Sequence, residues 1–257
     1  MNKEVRADHL LIKIHNSRNE MGKAVAADVI SAINEVLSNQ KICSIIFAAA
    51  PSQNELLEGL VSSSGVEWNK VNAFHMDEYI GLDKDAKQGF GNFLKNRLFN
   101  KVNFNKVDFI NGNADPAFEC KRYEKLLKAN TIDIVCCGIG ENCHLAFNDP
   151  HVADFNDKNM VKIVDLDEKC RMQQVNDGCF SLIDDVPKQA LTLTIPVLFN
   201  AKRIFCTVPA ATKAQAVYNT VNQTVSEQYP STILRNHPNA TMYVDKDSAE
   251  RLEDTGN

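Results

Sequence analysis

The chain has 257 residues, 44% hydrophobic and 24% charged, which suits one globular domain with a sizeable core spanning residues 1–257. A net charge of −5 and the lack of a basic run with interleaved aromatics exclude a nucleic-acid surface, so an anionic ligand must be captured by a local pocket. No apolar stretch is long enough to cross a bilayer, the N-terminus is too polar for a signal peptide, and eight irregularly spaced cysteines form no Cys-x-x-Cys pair, so the expectation is a cytoplasmic protein with no membrane partner.

Along the chain, strand-like and helix-like runs alternate. Residues 10–14 read as a strand, and residues 18–38 place Met21, Val25, Val29, Ile33, Val36 and Leu37 on one helical face. Residues 41–47 form the next strand. Ser52-Gln53-Asn54-Glu55 has the spacing of a capping box and predicts a helix carrying Leu56, Leu57, Leu60 and Val61. Strands follow at 71–76 and 107–110, with helices over 89–99 and 116–128. Further strands are expected at 131–137, 161–164, 190–194, 203–208 and 241–244, with a helix starting near Ala210. Such alternation implies an α/β fold, a mainly parallel open sheet of Rossmann-like type with helices on both faces. Ligands of such sheets bind at the carboxyl ends of the strands.

Four loops lie just after predicted strands. The most informative is residues 138–150, where glycines release the backbone and His144 arrives among acids and amides, including Glu141, Asn142 and Asp149. Such an imidazole can relay protons near neutral pH, and its spacing matches no strong metal-ligand pattern. In the second, Asp77 and Glu78 follow an apolar strand; partial burial suits a carboxylate to general-base work, although solvated acids at a strand end are the commoner meaning of an isolated pair. The third, Ala48-Ala49-Ala50-Pro51-Ser52, joins a strand to a helix start, where backbone N–H groups bind phosphate; Ser52 either joins them or caps its helix with Glu55. In the fourth, Lys213 falls in the first turn of a predicted helix, a place the dipole makes comfortable for a cation only beside an anion.

Together these loops resemble the glucosamine-6-phosphate deaminase/isomerase family, which also includes the 6-phosphogluconolactonases. The similarity runs from residue 18 to residue 251 and rests on Met76-Asp77-Glu78-Tyr79, on Gly140 with His144-Leu145-Ala146-Phe147-Asn148, on Val186-Pro187 with Ala190-Leu191-Thr192, and on His237-Pro238-Asn239-Ala240. Lactonase members carry Asp-Glu-Arg in place of Asp77-Glu78-Tyr79 and Thr-Ala-Ser in place of Leu145-Ala146-Phe147, so the deaminase side fits better. The resemblance implies a reaction needing neither metal nor cofactor: an amino-sugar 6-phosphate ring opens, a proton moves between C2 and C1, and a hydrolytic loss of ammonia leaves a ketose 6-phosphate. Asp77 then matches the enolisation base, His144 the ring-opening acid/base, Asp149 the carboxylate that orients it, and Lys213 a phosphate ligand. Ala49, Ala50, Ser52, Glu78 and Gly140 complete the expected sugar-phosphate site, and a homo-oligomer is compatible with the family.

The chain also departs from that pattern, in the manner of a divergent branch. Asn142 stands where well-studied deaminases have aspartate, Cys143 where they have glycine, and Asp149 where they have glutamate. An uncharged Asn142 stabilises an imidazolium less than aspartate does, and Glu141 is the nearest acid that can compensate. The phosphate loop lacks the family's Thr-Gly-Gly-Thr, and residues 173–178 hold no counterpart of its phosphate-binding arginine. Two alternatives follow: a lactone hydrolase or non-deaminating isomerase on the same scaffold, and a sugar-phosphate sensor without catalysis.

Overall fold

The computed structural model describes residues 3–255. In chain order the elements are β1 (Lys3–Ala7), β2 (Leu10–His15), α1 (Arg18–Asn39), β3 (Cys43–Phe47), α2 (Asn54–Ser62), β4 (Val71–His75), β5 (Asp77–Tyr79), α3 (Phe90–Leu94), β6 (Lys106–Asp108), α4 (Pro116–Lys128), β7 (Ile134–Cys137), β8 (Val161–Asp165), α5 (Glu168–Asn176), β9 (Gln189–Leu193), α6 (Ile195–Phe199), β10 (Arg203–Val208), α7 (Ala214–Asn222) and β11 (Ala240–Asp245).

Eight strands build the main sheet in the order β1-β2-β11-β10-β7-β3-β4-β6. All its pairs are parallel except β1 with β2. The inner strands β3 and β7 are buried throughout and almost wholly apolar, Ser44 being their one polar residue, because helices cover both faces of the sheet and leave no wet side for a polar alternation. The open α/β sheet expected from the alternation is therefore present, with polar β1 added at the edge, where charged side chains blunt further pairing.

Two of the expected strands lie elsewhere. Residues 161–164 and 190–193 belong to a separate three-stranded antiparallel sheet, β5-β9-β8, whose third member is the short Asp77–Tyr79, and Thr194 instead takes the N-cap position of the next helix. The expected helix over 89–99 is α-helical only through Leu94 and continues as a π-helical turn, Lys95–Phe99. The capping box is not formed: a 3-10 turn, Pro51–Gln53, precedes α2, which has no side-chain cap at its start. Glu55 instead reaches across to α1, where its Oε1 accepts the Nε–H of Arg18 at 2.7 Å. The two helices meet closely because Gly22 and Gly59 lack Cβ atoms that would otherwise collide with Glu55 and Ala26.

Register aligns the strand ends that carry the loops. Phe47 pairs with His75 on one side and Cys136 on the other, and Cys137 pairs with Cys206. The loops after β3, β4, β7 and β10 consequently leave the sheet at one level and line one cleft. No described helix is long and apolar enough to cross a membrane. All eight cysteines are free, and six are buried as small apolar side chains.

Candidate active site

Asp77, Gly140, His144, Lys213 and residues 49–52 line this cleft. Asp77 is the first residue of β5, and its carboxyl is pushed well above the usual aspartate range by burial, then by neighbouring Glu78. The backbone below it is held by His75, whose Nδ1 lies 2.9 Å from the Asp77 carbonyl oxygen while its Nε2 accepts the Ile110 N–H at 2.9 Å. The tautomer is thereby set, with the proton on Nδ1.

Glu78 is not a cleft residue, contrary to expectation. Successive residues of a strand point to opposite faces, so the Glu78 carboxylate turns away and accepts the N–H groups of Tyr79, Phe90 and Gly91 at 2.9–3.0 Å. It anchors the start of α3, and behind it lies a separate cavity that Lys95 helps to line.

The His144 loop is tightly wound. The Gly140 N–H donates to the His144 carbonyl at 3.0 Å, and the Cys143 N–H to the Gly140 carbonyl at 2.9 Å. Cys143 takes φ +70°, a left-handed conformation that favours glycine. The imidazole lies directly over Gly140, where a Cβ would overlap the ring.

His144 Nδ1 is 2.9 Å from Asp149 Oδ1, a contact that becomes an ion pair when the ring is protonated. Asp149 is fully buried; burial pushes its carboxyl up, but His144 and the Asn142 amide outweigh this and hold it below the usual range.

Asn142 and Glu141 act differently from the expectation. The Asn142 amide donates to Asp149 Oδ1 at 2.9 Å and to Asp167 Oδ2 at 3.1 Å, and its own oxygen accepts the His144 backbone N–H. It bridges two carboxylates and makes no described contact with the imidazole ring. Glu141 does not line the cleft, because the turn at 140–143 carries it away: its N–H donates to Gln173 Oε1, and its charge acts on Lys213. Cys170, with His144 and Asp149, brings three donors within 4.8 Å of one another, a set able to hold a thiophilic cation.

Ser52, Ala50 and Lys213 line the same cleft. Lys213 belongs to a 3-10 turn, Ala211–Lys213, that precedes α7. It is buried with no hydrogen-bond partner for Nζ, and burial lowers its pKa against the pull of Asp177 and Glu141. Ser52 accepts from Gln53 Nε2, which also donates to the carbonyls of Cys137 and Thr207 and so ties this loop to β7 and β10.

Several lining residues lie outside the expected site: Arg18 and Phe90, and also Gln173, Gln174 and Asp177, whose segment the sequence marks only as lacking the family's arginine. Three of these come from α5 and its C-cap, a polar segment with no usable helical periodicity. Its only signal is Asp167, which caps the helix by accepting the Cys170 N–H.

A sequence model of the family described as glucosamine-6-phosphate isomerases/6-phosphogluconolactonase matches residues 16–243. A glucosamine-6-phosphate deaminase of Clostridium acetobutylicum is 31% identical over 242 residues, covering 92% of this chain and 98% of that protein. One of Oceanobacillus iheyensis is 33% identical over 233 residues, covering 88% and 90%. Among solved structures, a monomeric glucosamine-6-phosphate deaminase superposes with a TM-score of 0.84 at 27% identity, over 93% of this chain and 98% of that one. The 6-phosphogluconolactonase of Thermotoga maritima shares the fold, with a TM-score of 0.76 at 18% identity over 92% of this chain and 100% of that one.

Proposed function

The chain belongs to the family of glucosamine-6-phosphate isomerases and 6-phosphogluconolactonases, and on that footing we propose that it is a glucosamine-6-phosphate deaminase, converting glucosamine 6-phosphate and water to fructose 6-phosphate and ammonia. The observation that carries this reading is the pairing, in one cleft, of a buried carboxylate of raised pKa with an imidazole backed by a second carboxylate.

The division of labour is the one the family resemblance implies, and the arrangement of Asp77, His144 and Lys213 in one cleft supports it. His144 gives a proton to the ring oxygen and takes one from the C1 hydroxyl, opening the sugar to its aldehyde. Asp149 supports the charge that the imidazole carries between those transfers. Asp77 then removes the C2 proton and returns it to C1 while one proton passes from the amine nitrogen to the C1 oxygen, turning the aldose amine into a ketose imine. Its raised pKa makes it a stronger base than a solvated aspartate, and the aromatic wall of Phe90 and Phe147 limits water beside it. Water adds to the imine carbon, and ammonia leaves. The phosphate sits against Lys213 and the backbone of residues 49–52, where an anion gives the buried ammonium the partner it lacks.

A lactone hydrolase on this scaffold needs no carbon-acid base, and the likeness to 6-phosphogluconolactonase structures extends to the fold alone. A sensor needs neither a base nor a proton relay. The deciding assay follows ammonia and ketose phosphate from a panel of hexosamine 6-phosphates, with 6-phosphogluconolactone alongside. Ammonia release from glucosamine 6-phosphate is expected; lactone hydrolysis without any ammonia would overturn the proposal.

A further inference from the structure

A phosphate dianion set against Lys213 alone keeps half its charge uncompensated. The cleft has one other permanent cation among its described lining residues, Arg18, the first residue of α1. Its guanidinium is held at two points: Nε donates to Glu55 Oε1 at 2.7 Å, and Nη2 donates to the Pro51 carbonyl. Nη1 makes no described hydrogen bond. The side chain is 36% exposed and borders the cleft beside Pro51, in a turn that lines the same cleft as Lys213.

Glu55 can reach Arg18 because Gly22, one helical turn along α1, leaves room for the Glu55 backbone and Cβ. The bland account is a surface ion pair joining α1 to α2, worth roughly 0–1 kcal/mol and indifferent to ligand. That account leaves unexplained why the guanidinium turns to the cleft turn and bonds a carbonyl there. A guanidinium fixed at Nε and Nη2, with Nη1 open, is pre-organised to donate to an oxyanion at little entropic cost.

We infer that Arg18, oriented by Glu55, is the second cation of the phosphate subsite, sharing the substrate's phosphate group with Lys213. This rests on the proposed sugar-phosphate reading of the cleft.

The test measures the Kd of inorganic phosphate by calorimetry, and kcat and KM with glucosamine 6-phosphate, for wild type, Arg18→Met, Arg18→Lys and Lys213→Met. Losing one charge-assisted contact is expected to raise both phosphate Kd and KM about tenfold or more in Arg18→Met, with kcat changed by less than about threefold. Arg18→Lys, which keeps the charge without the fork, should recover part of the affinity. Thermal melts confirm that each variant is folded, and a purely structural ion pair would move the melt and not the Kd. If Lys213→Met weakens phosphate binding while Arg18→Met leaves Kd and KM within about twofold, Arg18 is only an interhelical partner and the inference fails. If neither variant alters phosphate binding, the phosphate reading of this end of the cleft fails with it.

Discussion

The imidazole of His75, completely enclosed beneath the cleft, donates through Nδ1 to the carbonyl oxygen of Asp77, two residues along the chain. Nε2 is committed as an acceptor for the Ile110 N–H, so the ring must remain neutral to keep both bonds. The backbone N–H of His75 is itself taken by the Tyr123 hydroxyl at 3.1 Å. Tyr123, His75 and Ile110 thus form a rigid support under the residue assigned to carbon-acid chemistry, and protonation of that support has a thermodynamic signature.

Burial pushes the His75 pKa down to about 4 from an ordinary 6.5, against a smaller upward pull from its bond to Asp77. Below pH 6.5 the unfolded chain takes up a proton that the native ring refuses. The stability His75 contributes is therefore complete above pH 6.5 and is lost as pH falls from 6.5 towards 4. The loss should total about 3 kcal/mol across that window. Urea unfolding of wild type and His75→Gln at pH 7 and pH 5 checks it: the variant should be less stable at pH 7 but show a flatter dependence. Parallel pH dependences would remove His75 as the source.

Asp77→Asn should keep fold and ligand affinity but lose most turnover, since a general base contributes roughly 10²–10⁴-fold. Solvent-deuterium exchange at C2 should fall with it. In the wild type, the raised pKa of Asp77 means that the base becomes protonated, and kcat/KM declines, at a higher pH than an ordinary aspartate would dictate. An acid limb set at ordinary aspartate values, or a variant turning over near the wild-type rate, would take Asp77 out of the mechanism.

Asn142→Asp places a third carboxylate 2.9 Å from Asp149 Oδ1 and 3.1 Å from Asp167 Oδ2. The amide donates to both; a carboxylate donates to neither and repels both. The expected destabilisation is roughly 1–3 kcal/mol at neutral pH. It should shrink at pH 5 as the introduced carboxyl, crowded by Asp149, takes up a proton, so melting curves at pH 5 and pH 8 report the effect. An unchanged melt at pH 8 would show that Asn142 is not the bridge described.

Gly140→Ala inserts a methyl group where the His144 ring now lies. The imidazole must move, and the contact with Asp149 moves with it. Turnover should drop about 10²-fold or more, because proton transfer fails when its geometry is lost. Circular dichroism should stay close to that of the wild type, since the clash is with a side chain at the cleft's edge. Retained turnover would place the reactive group elsewhere.

Much of the architecture was legible in residue order because the central strands β3 and β7 are buried on both faces and so appear as largely apolar runs, while α1 and α4 repeat their apolar positions at helical spacing. The cleft residues of four loops could likewise be read, since they follow strand ends that a parallel sheet must bring to one edge: Asp77, Gly140, His144, Lys213 and residues 49–52. What residue order could not decide was direction and partnership. Glu78 differs from Asp77 only by the alternation of a three-residue strand too short to announce itself, yet one faces the cleft and the other clamps α3. Ser52 and Glu55 had the spacing of a local cap, but Pro51 starts a 3-10 turn and the gap left by Gly22 offers Glu55 a longer-range partner, Arg18, 37 residues away. Residue order makes Asn142 a missing charge beside His144; the approach of Asp167 just before α5 makes an amide the side chain able to donate to two acids at once. Local pattern carries burial and backbone preference, which depend on near neighbours; the pairing of charges is settled by which helices pack together, and that is decided only when the whole chain has folded.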